Sequence, residues 1–266
     1  MPDPMTLGGA ALAAYLSKDG VSKLLGPTAE YLGGEMKSLV EKSQSNIVSV
    51  FKKAEKKCGE KIETSGTVNA RVMKHVYDEA RFSDDELLAE YFGGVLASAR
   101  TVDGVDDRGV YYSQIVKSMS SYQIRCHYFF YYLMWFHSKD LKLNLHDDAD
   151  RAKLALVVPA SCYEETFSTV PNQSEMPYVA HSLSGLAKAD LISNNFALQN
   201  SEDMKKKGIE VDEFAFLIYP TITGLELFIW VHGQGDIGFP AFSSSTLAEE
   251  PDIEIKSISK TRLKGS

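Results

Sequence analysis

The chain has 266 residues, 44% of them hydrophobic and 24% charged, an ordinary balance for a soluble globular protein. That length fits one large or two small domains and suffices to bury a sizeable core. With 28 basic against 36 acidic residues the formal net charge is −8, which argues against a generally basic nucleic-acid binder while leaving room for a local patch. Three cysteines, Cys58, Cys126 and Cys162, are odd in number and show no CxxC spacing. They exclude a disulfide framework and a cysteine-based zinc site and point to a reducing compartment. The longest apolar run, Tyr128–Phe136, is nine residues, whereas a spanning helix needs about 20. Leu7–Leu16 carries two glycines and no basic lead-in, so it does not read as a secretory signal. A cytoplasmic location is expected.

Helix is expected from the start. Leu7–Leu25 is rich in Ala and Leu, Gly26-Pro27 breaks it, and Pro27 suits the first turn of a second helix that Gly33-Gly34 weakens. From Ser38 to Ile62 the period is helical, with Ile47, Phe51, Ala54, Cys58 and Ile62 on one stripe. Lys52, Lys53, Lys56, Lys57 and Lys61 spread over the rest, interleaved with Glu55 and Glu60. That reads as a solvated face more readily than as a phosphate patch. After the polar linker 63–67 come a helix over Val68–Ala80 and another opened by a capping box, Ser83 to Glu86, that runs to about Arg100.

Thr101–Gly109 reads as a loop. Counting from Asp103, a calcium loop would need a bidentate Glu at its twelfth position, where Gln114 stands; Asp107 and Arg108 are expected to pair with neighbouring helices instead. Tyr111–Met119 reads as helix. Ser120 and Gln123 form a second capping box, opening a helix to about Ser138. That helix holds seven aromatics between Tyr128 and Phe136, and a helix apolar all round is a buried one. His127 and His137 at its flanks read as hydrogen-bonded structural residues.

A helix is expected over Asp147–Val158, ended by Pro159, and a domain boundary over the polar stretch Ser161–Gln173. Beyond it the pattern changes. Pro177–Ala189 reads as helix, Leu191–Leu198 as strand, Asn200–Gly208 as a polar loop and Phe214–Tyr219 as strand. A third capping box, Thr223 to Glu226, opens a last helix over Leu225–Val231. The expected fold is therefore mainly α: a helical bundle over 1–160, a linker over 161–173, a small winged-helix-like α+β module over 174–235, and a partly mobile tail over 236–266.

Common catalytic signatures are missing. The sequence contains no GxxxxGK[ST], HExxH or GxSxG, and no catalytic, cofactor-binding or metal-ligating residue is assigned. Two groups carry chemistry of interest. Lys205, Lys206 and Lys207 would sit in the wing of the C-terminal module and contact phosphates. Arg71 and His75, at helical spacing, could stabilise a phosphate and shuttle a proton in a ribonuclease-type toxin. Ribonucleases of the HEPN type separate such a pair by four to six residues, against three here, and the same spacing also places two residues on one exposed face.

Several segments carry a resemblance. Asp84–Ser98 opens with an acidic helical turn, then has Tyr91 or Phe92, Gly93-Gly94 and Val95-Leu96-Ala97. Tyr112, Ile115-Val116 and Met119-Ser120-Ser121 come after a loop; Leu24–Gly33 contains a Gly-Pro helix start; Leu183 to Leu191, Thr221 to Gly224 and Phe228 close the pattern. Over residues 20–232 this order resembles the abortive infection alpha family of bacterial proteins, departing from it where Tyr91-Phe92-Gly93 replaces tryptophan and alanine. The resemblance implies an antiviral role without a mechanism. It is read as a non-enzymatic sensor or adaptor with a viral or host protein partner and a homodimeric contact through Gly9, Gly33 and Gly34. The alternatives are a nucleic-acid-binding regulator working through the C-terminal module and the ribonuclease-type toxin.

Overall fold

A computed structural model describes residues 45–81, 83, 85–167, 174–244, 247 and 253–265. The expected helices over Leu7–Leu25 and from Pro27 onward, and with them Gly9, Gly33 and Gly34, lie outside the described residues. The protein is mainly helical with a small antiparallel sheet. It falls into two compact units: residues up to Ser118 with Trp230–Asp236, and Met119–Ile229 with residues from Ile237 onward. The division is thus at Ser118 rather than at 161–173, because the strand ending at Pro159 and the helix after it pack with elements later in the chain.

In the first unit, helix α1 (45–58) buries the expected stripe as far as Cys58: Ile47, Phe51 and Ala54 are inaccessible and Cys58 nearly so, and Val50 is buried with them. A short 3-10 turn, Gly59–Glu63, leaves Ile62 half-exposed. Of the lysines, Lys53 and Lys57 are not on a purely solvated face. Both ion-pair with Glu90, Lys57 at 3.1 Å, and Lys53 also reaches Glu86. Helix α2 (Ala70–Ala80) is capped by Asn69, whose side chain accepts from the Arg71 amide. Helix α3 (Glu86–Ser98) is capped by Asp85, which accepts from the Leu87 and Leu88 amides. This corrects the expected box: Ser83 Oγ donates to the Glu79 carbonyl at the end of α2 instead, and a carboxylate two residues later is the better acceptor for the free amides. Helix α4 (Gly109–Ser118) follows. A two-residue ladder, β1 (Thr67–Val68) on β2 (Arg100–Thr101), ties the lead-in of α2 to the end of α3. Arg100 reinforces it by donating to the Lys61 and Thr64 carbonyls at 2.9 and 2.6 Å.

Gly93 and Gly94 are what let α3 sit so close to its neighbours. A Cβ on Gly93 would lie 2.7 Å from Lys53 Cβ and 3.0 Å from the Val50 carbonyl of α1; one on Gly94 would lie 1.8 Å from the Val231 carbonyl oxygen. Ser98 Oγ donates to the Trp230 carbonyl at 2.7 Å and accepts from the Gly235 amide at 3.0 Å, fixing 230–235 on the same helix.

The second unit is built on helix α5 (Ser121–Ser138), opened by the expected capping box of Ser120 and Gln123. Tyr128, Phe129, Phe130 and Tyr131 are fully buried. Helix α6 (Asp148–Ala152) is short; after a turn, the end of the helix expected over Asp147–Val158 is instead part of strand β3 (Leu156–Pro159), buried at all four positions. A short apolar run has no period that separates a buried strand from a buried helix. The two valines and the terminal proline favour the strand. Helix α7 (Ala160–Phe167) comes next, in place of the expected linker. Then come α8 (Met176–Lys188), β4 (Ala197–Gln199), α9 (Ser201–Lys206), β5 (Ala215–Ile218), α10 (Ile222–Val231), a single turn α11 (Phe239–Phe242) and β6 (Arg262–Leu263). The last two residues of α10 belong to the first unit. The polar loop expected over Asn200–Gly208 is mostly α9, with Asn200 capping the Asp203 amide and Gly208 at φ +74° ending it.

The sheet order is β4–β5–β3–β6, every neighbour antiparallel. Side chains alternate across it. Phe216 faces α5 and α7, its ring 5.1 Å from Phe130 and 6.1 Å from Tyr163. Val157, Ala197, Ala215 and Leu217 face the other way, onto Met204 and Ile209. The α9 segment is therefore a cover for the second face of the sheet. Residues 253–265, part of the expected tail, are packed down: β6 pairs with β3, and His137 Nε2 lies 2.7 Å from Thr261 Oγ1, whose hydroxyl donates to the Ile258 carbonyl. His137 is therefore the donor in that contact.

Replacing Gly94 by Ala should cost about 3 kcal/mol or more in urea unfolding, since the new methyl meets backbone rather than a movable side chain. Gly208→Ala, in open space at positive φ, should cost only about 1–2 kcal/mol. A second expectation concerns pH. Burial lowers the His137 pKa, so the unfolded chain takes up this proton at a higher pH than the folded one. Stability should fall as pH drops through about 6.5 toward the lowered native value and level off below it. His137→Gln, which keeps a donor for Thr261, should remove that component of the pH profile of the melting temperature.

Candidate functional site

Helix α8 has both ends fixed. Pro177 occupies its first turn. At its C-terminus Asp190 takes the left-handed conformation, φ 55°, and the Leu191 and Asp190 amides donate back to the Leu186 and Ala187 carbonyls at 2.8 and 3.1 Å. This is a Schellman closure, with the fully buried Leu186 and Leu191 as its apolar pair. The Asp190 side chain accepts from Thr223 Oγ1 and its carbonyl from Thr221 Oγ1, at 2.7 and 2.6 Å. The last helix thus starts at Ile222, not Leu225: Thr221 caps it through the Gly224 amide, and Thr223 is spent on Asp190. On α8, Val179, Leu183, Leu186 and Ala187 point inward, and Gly185 lets α5 approach so closely that a Cβ would lie 2.1 Å from Gln123 Nε2.

The outward side of α8 forms one wall of a groove of about 540 Å³, within the roughly 300–1,000 Å³ of ligand pockets. Met176, Pro177 and Ala180 supply that wall, Leu198 of β4 and Phe214 before β5 the opposite one, and the start of α7 with Glu164 and Glu213 the end. Phe214 is 56% exposed, and on α8 Tyr178 is 58% exposed. Tyr178 is held in place by stacking on Tyr122, centroids 5.1 Å apart at 11°. Glu213 closes the N-terminus of α7: its carboxylate accepts from the Ser161 amide at 3.0 Å and the Ser161 hydroxyl at 2.8 Å. Glu164 accepts from Ser174 Oγ at 2.8 Å. Nearby, Glu175 pairs loosely with Arg125 at 3.3 Å, and its second oxygen is buried with no hydrogen-bond partner among the described residues. The groove is apolar along its walls and anionic at its end.

The sequence-predicted site residues lie elsewhere. Lys205 and Lys206 end α9, with Lys207 as the residue after it, on the segment that covers the sheet face turned away from α5 and α7. Lys206 pairs with Asp203 at 2.6 Å, and Lys205 lines a shallow pocket with Glu202, Glu210 and Asp212. The three are thus set among carboxylates. Arg71 and His75 share α2, but the Arg71 guanidinium is engaged by Asp107 at 2.5 Å. The loop 101–109 is organised by its own groups: Asp103 accepts from Thr101 Oγ1 and the Val105 amide, and Arg108 turns back on Asp106. No group of three or more His, Cys, Asp or Glu able to hold a metal occurs among the described residues, and none of their helices is long and apolar enough to cross a membrane.

Sequence reasoning missed the groove because its ends are joined over long range. Glu213 and Ser161 are 52 residues apart, and only the outward position of the exposed Pro177 and Ala180 on an amphipathic helix hinted at it. No protein-family model, curated protein or solved structure matches the chain.

The cysteines are buried and free. Desolvation pushes the thiols of Cys58 and Cys162 up to about 11 and that of Cys126 to about 12. Thiol titration of the folded protein at pH 8 should therefore run at least about 100-fold slower than for a free cysteine, and reach full rate only on unfolding.

Proposed function

We propose that this chain is a non-enzymatic interaction protein of the abortive-infection type its motifs resemble, and that its second unit is a winged-helix-like module turned to protein binding. The module would comprise α5, β3, α7, α8 and the β4–β5 pair, with β5 lying between β4 and β3. It would begin at residue 119 rather than 174, with α8 in the place of the second helix of a helix-turn-helix. The observation that carries the reading is the groove beside α8. In a DNA-binding protein this helix enters the major groove and its surroundings supply lysines and arginines to phosphates. Here the outward residues Pro177, Ala180, His181 and Ser184 are followed by a single cation, Lys188, and the facing loop contributes Glu213 and Phe214. Apolar walls with carboxylates at the end suit a polypeptide and repel a phosphate backbone. The setting of Lys205–Lys207 among carboxylates supports the same choice.

A phage challenge at low and high dose tests this. Cells expressing the protein should form at least about tenfold fewer plaques. Ala180→Trp, which fills the groove from an exposed helical position, should abolish protection while leaving the circular dichroism spectrum unchanged. The purified protein should not shift a labelled duplex at 50 mM salt, where phosphate contacts are strong. Full protection by Ala180→Trp overturns the reading. So does duplex binding that is lost when Lys205, Lys206 and Lys207 are changed to Glu, which would establish the nucleic-acid alternative.

A further inference from the structure

Resting on that reading, we infer that the groove between α8 and the β4–β5 pair takes a short peptide segment of a partner protein, one with a bulky aliphatic or aromatic residue flanked by lysine or arginine. Two features select this occupant. The first is the wall chemistry. Met176, Pro177 and Ala180 face Leu198 and Phe214 across about 540 Å³, room for one or two large apolar side chains, and Phe214 stands 56% exposed. Met is adaptable enough to fit more than one shape of side chain. The second is charge. Glu164 and Glu213 line the end of the groove, and no lysine or arginine among the described residues lines it. Glu213 and Glu164 each accept hydrogen bonds from serines, Ser161 and Ser174. Neutral donors leave the negative charge in place, so both carboxylates can still attract a cation at the mouth. An acidic or uncharged apolar segment would leave that charge uncompensated, and a polar cationic one would leave the walls exposed to water.

The site is also preorganised. The stacking of Tyr178 on Tyr122 and the Schellman closure hold α8, and the capping by Glu213 holds the start of α7, before anything binds, which reduces the ordering cost of association.

Fluorescence anisotropy with the full-length protein and synthetic nine-residue probes tests the inference. One probe carries a central Leu-Trp between two lysines on each side; a second replaces the lysines by glutamates; a third replaces Leu-Trp by Ser-Ser. The first should bind, and the second and third at least about tenfold more weakly. Ala180→Trp should abolish binding of the first. Glu164→Gln, isosteric and still able to accept from Ser174, should weaken the lysine-flanked probe severalfold and leave an uncharged Leu-Trp probe unchanged. Equal binding of the lysine and glutamate probes, unaltered binding by Ala180→Trp, or no binding of the first probe overturns the inference. If Ala180→Trp abolishes phage protection while no lysine-flanked probe binds, the interaction reading stands and the stated partner chemistry falls.

Discussion

Burying helix α5 on all sides is the constraint on which the second unit depends. Its aromatic side chains each contribute roughly 1.5–3 kcal/mol on leaving water, but tyrosine, tryptophan and histidine carry polar tips that must be satisfied inside. Tyr131 shows how this is met. Its hydroxyl donates to the Leu191 carbonyl at 2.7 Å and accepts from the Thr221 amide at 3.1 Å, joining the end of α8 to the start of α10. His127 Nε2 lies 3.1 Å from the Gly224 carbonyl, and Trp135 donates to the Ser244 carbonyl at 3.0 Å. Burial raises the Tyr131 pKa well above the ordinary tyrosine range, so the phenol stays protonated and its donor role is permanent.

Those bonds reach outward to the groove. Leu191 is the residue that closes α8, so the hydroxyl that satisfies the core also fixes that helix's C-terminus. Gly224 is required by the same contact, since a Cβ there would lie 2.0 Å from the Tyr131 oxygen and 2.3 Å from the Leu191 carbonyl. The closing residues of the family-like pattern, Leu191, Thr221, Gly224 and Phe228, are accounted for by this junction. A motif that marks a core junction can be shared by proteins of different activity, and for that reason the functional proposal rests on the groove rather than on the motif.

How much was legible depends on the range of the interactions. The stripe of α1 from Ile47 to Cys58, the all-round burial of α5 and the box of Ser120 and Gln123 are local patterns, and they read correctly. Helix α9 was also legible: Asn200 at its start and Gly208 at its end are a cap and a stop, outweighed by a polar composition that suggested a loop. Strand β3 was not. Its partners, Ala215–Ile218 and Arg262–Leu263, lie about 60 and 100 residues further along the chain, and nothing local distinguishes four buried residues in a strand from four in a helix. With β3 read as helix, the expected boundary lies at 161–173, whereas α5, β3 and α7 belong with the later elements of the second unit. The groove was invisible for the same reason, since it exists only once α7, α8 and the β4–β5 pair are brought together.

The lysines show why a charge run cannot be read without its fold. As a loop between two strands, Lys205–Lys207 would project from the edge of the module. As the end of a capped helix whose Met204 is buried with Ile209 against Val157 and Leu217, they are carried to the back of the sheet among carboxylates. Covering that face has a second effect. With α5 and α7 on one side and α9 on the other, both faces of the sheet carry packed elements, while Phe214 just before β5 remains open to solvent at the groove. Placing α9 and its lysines on that face leaves Phe214 exposed at the groove lined by Glu164 and Glu213. That placement favours a binding mode built on shape and a flanking cation over one built on phosphate neutralisation.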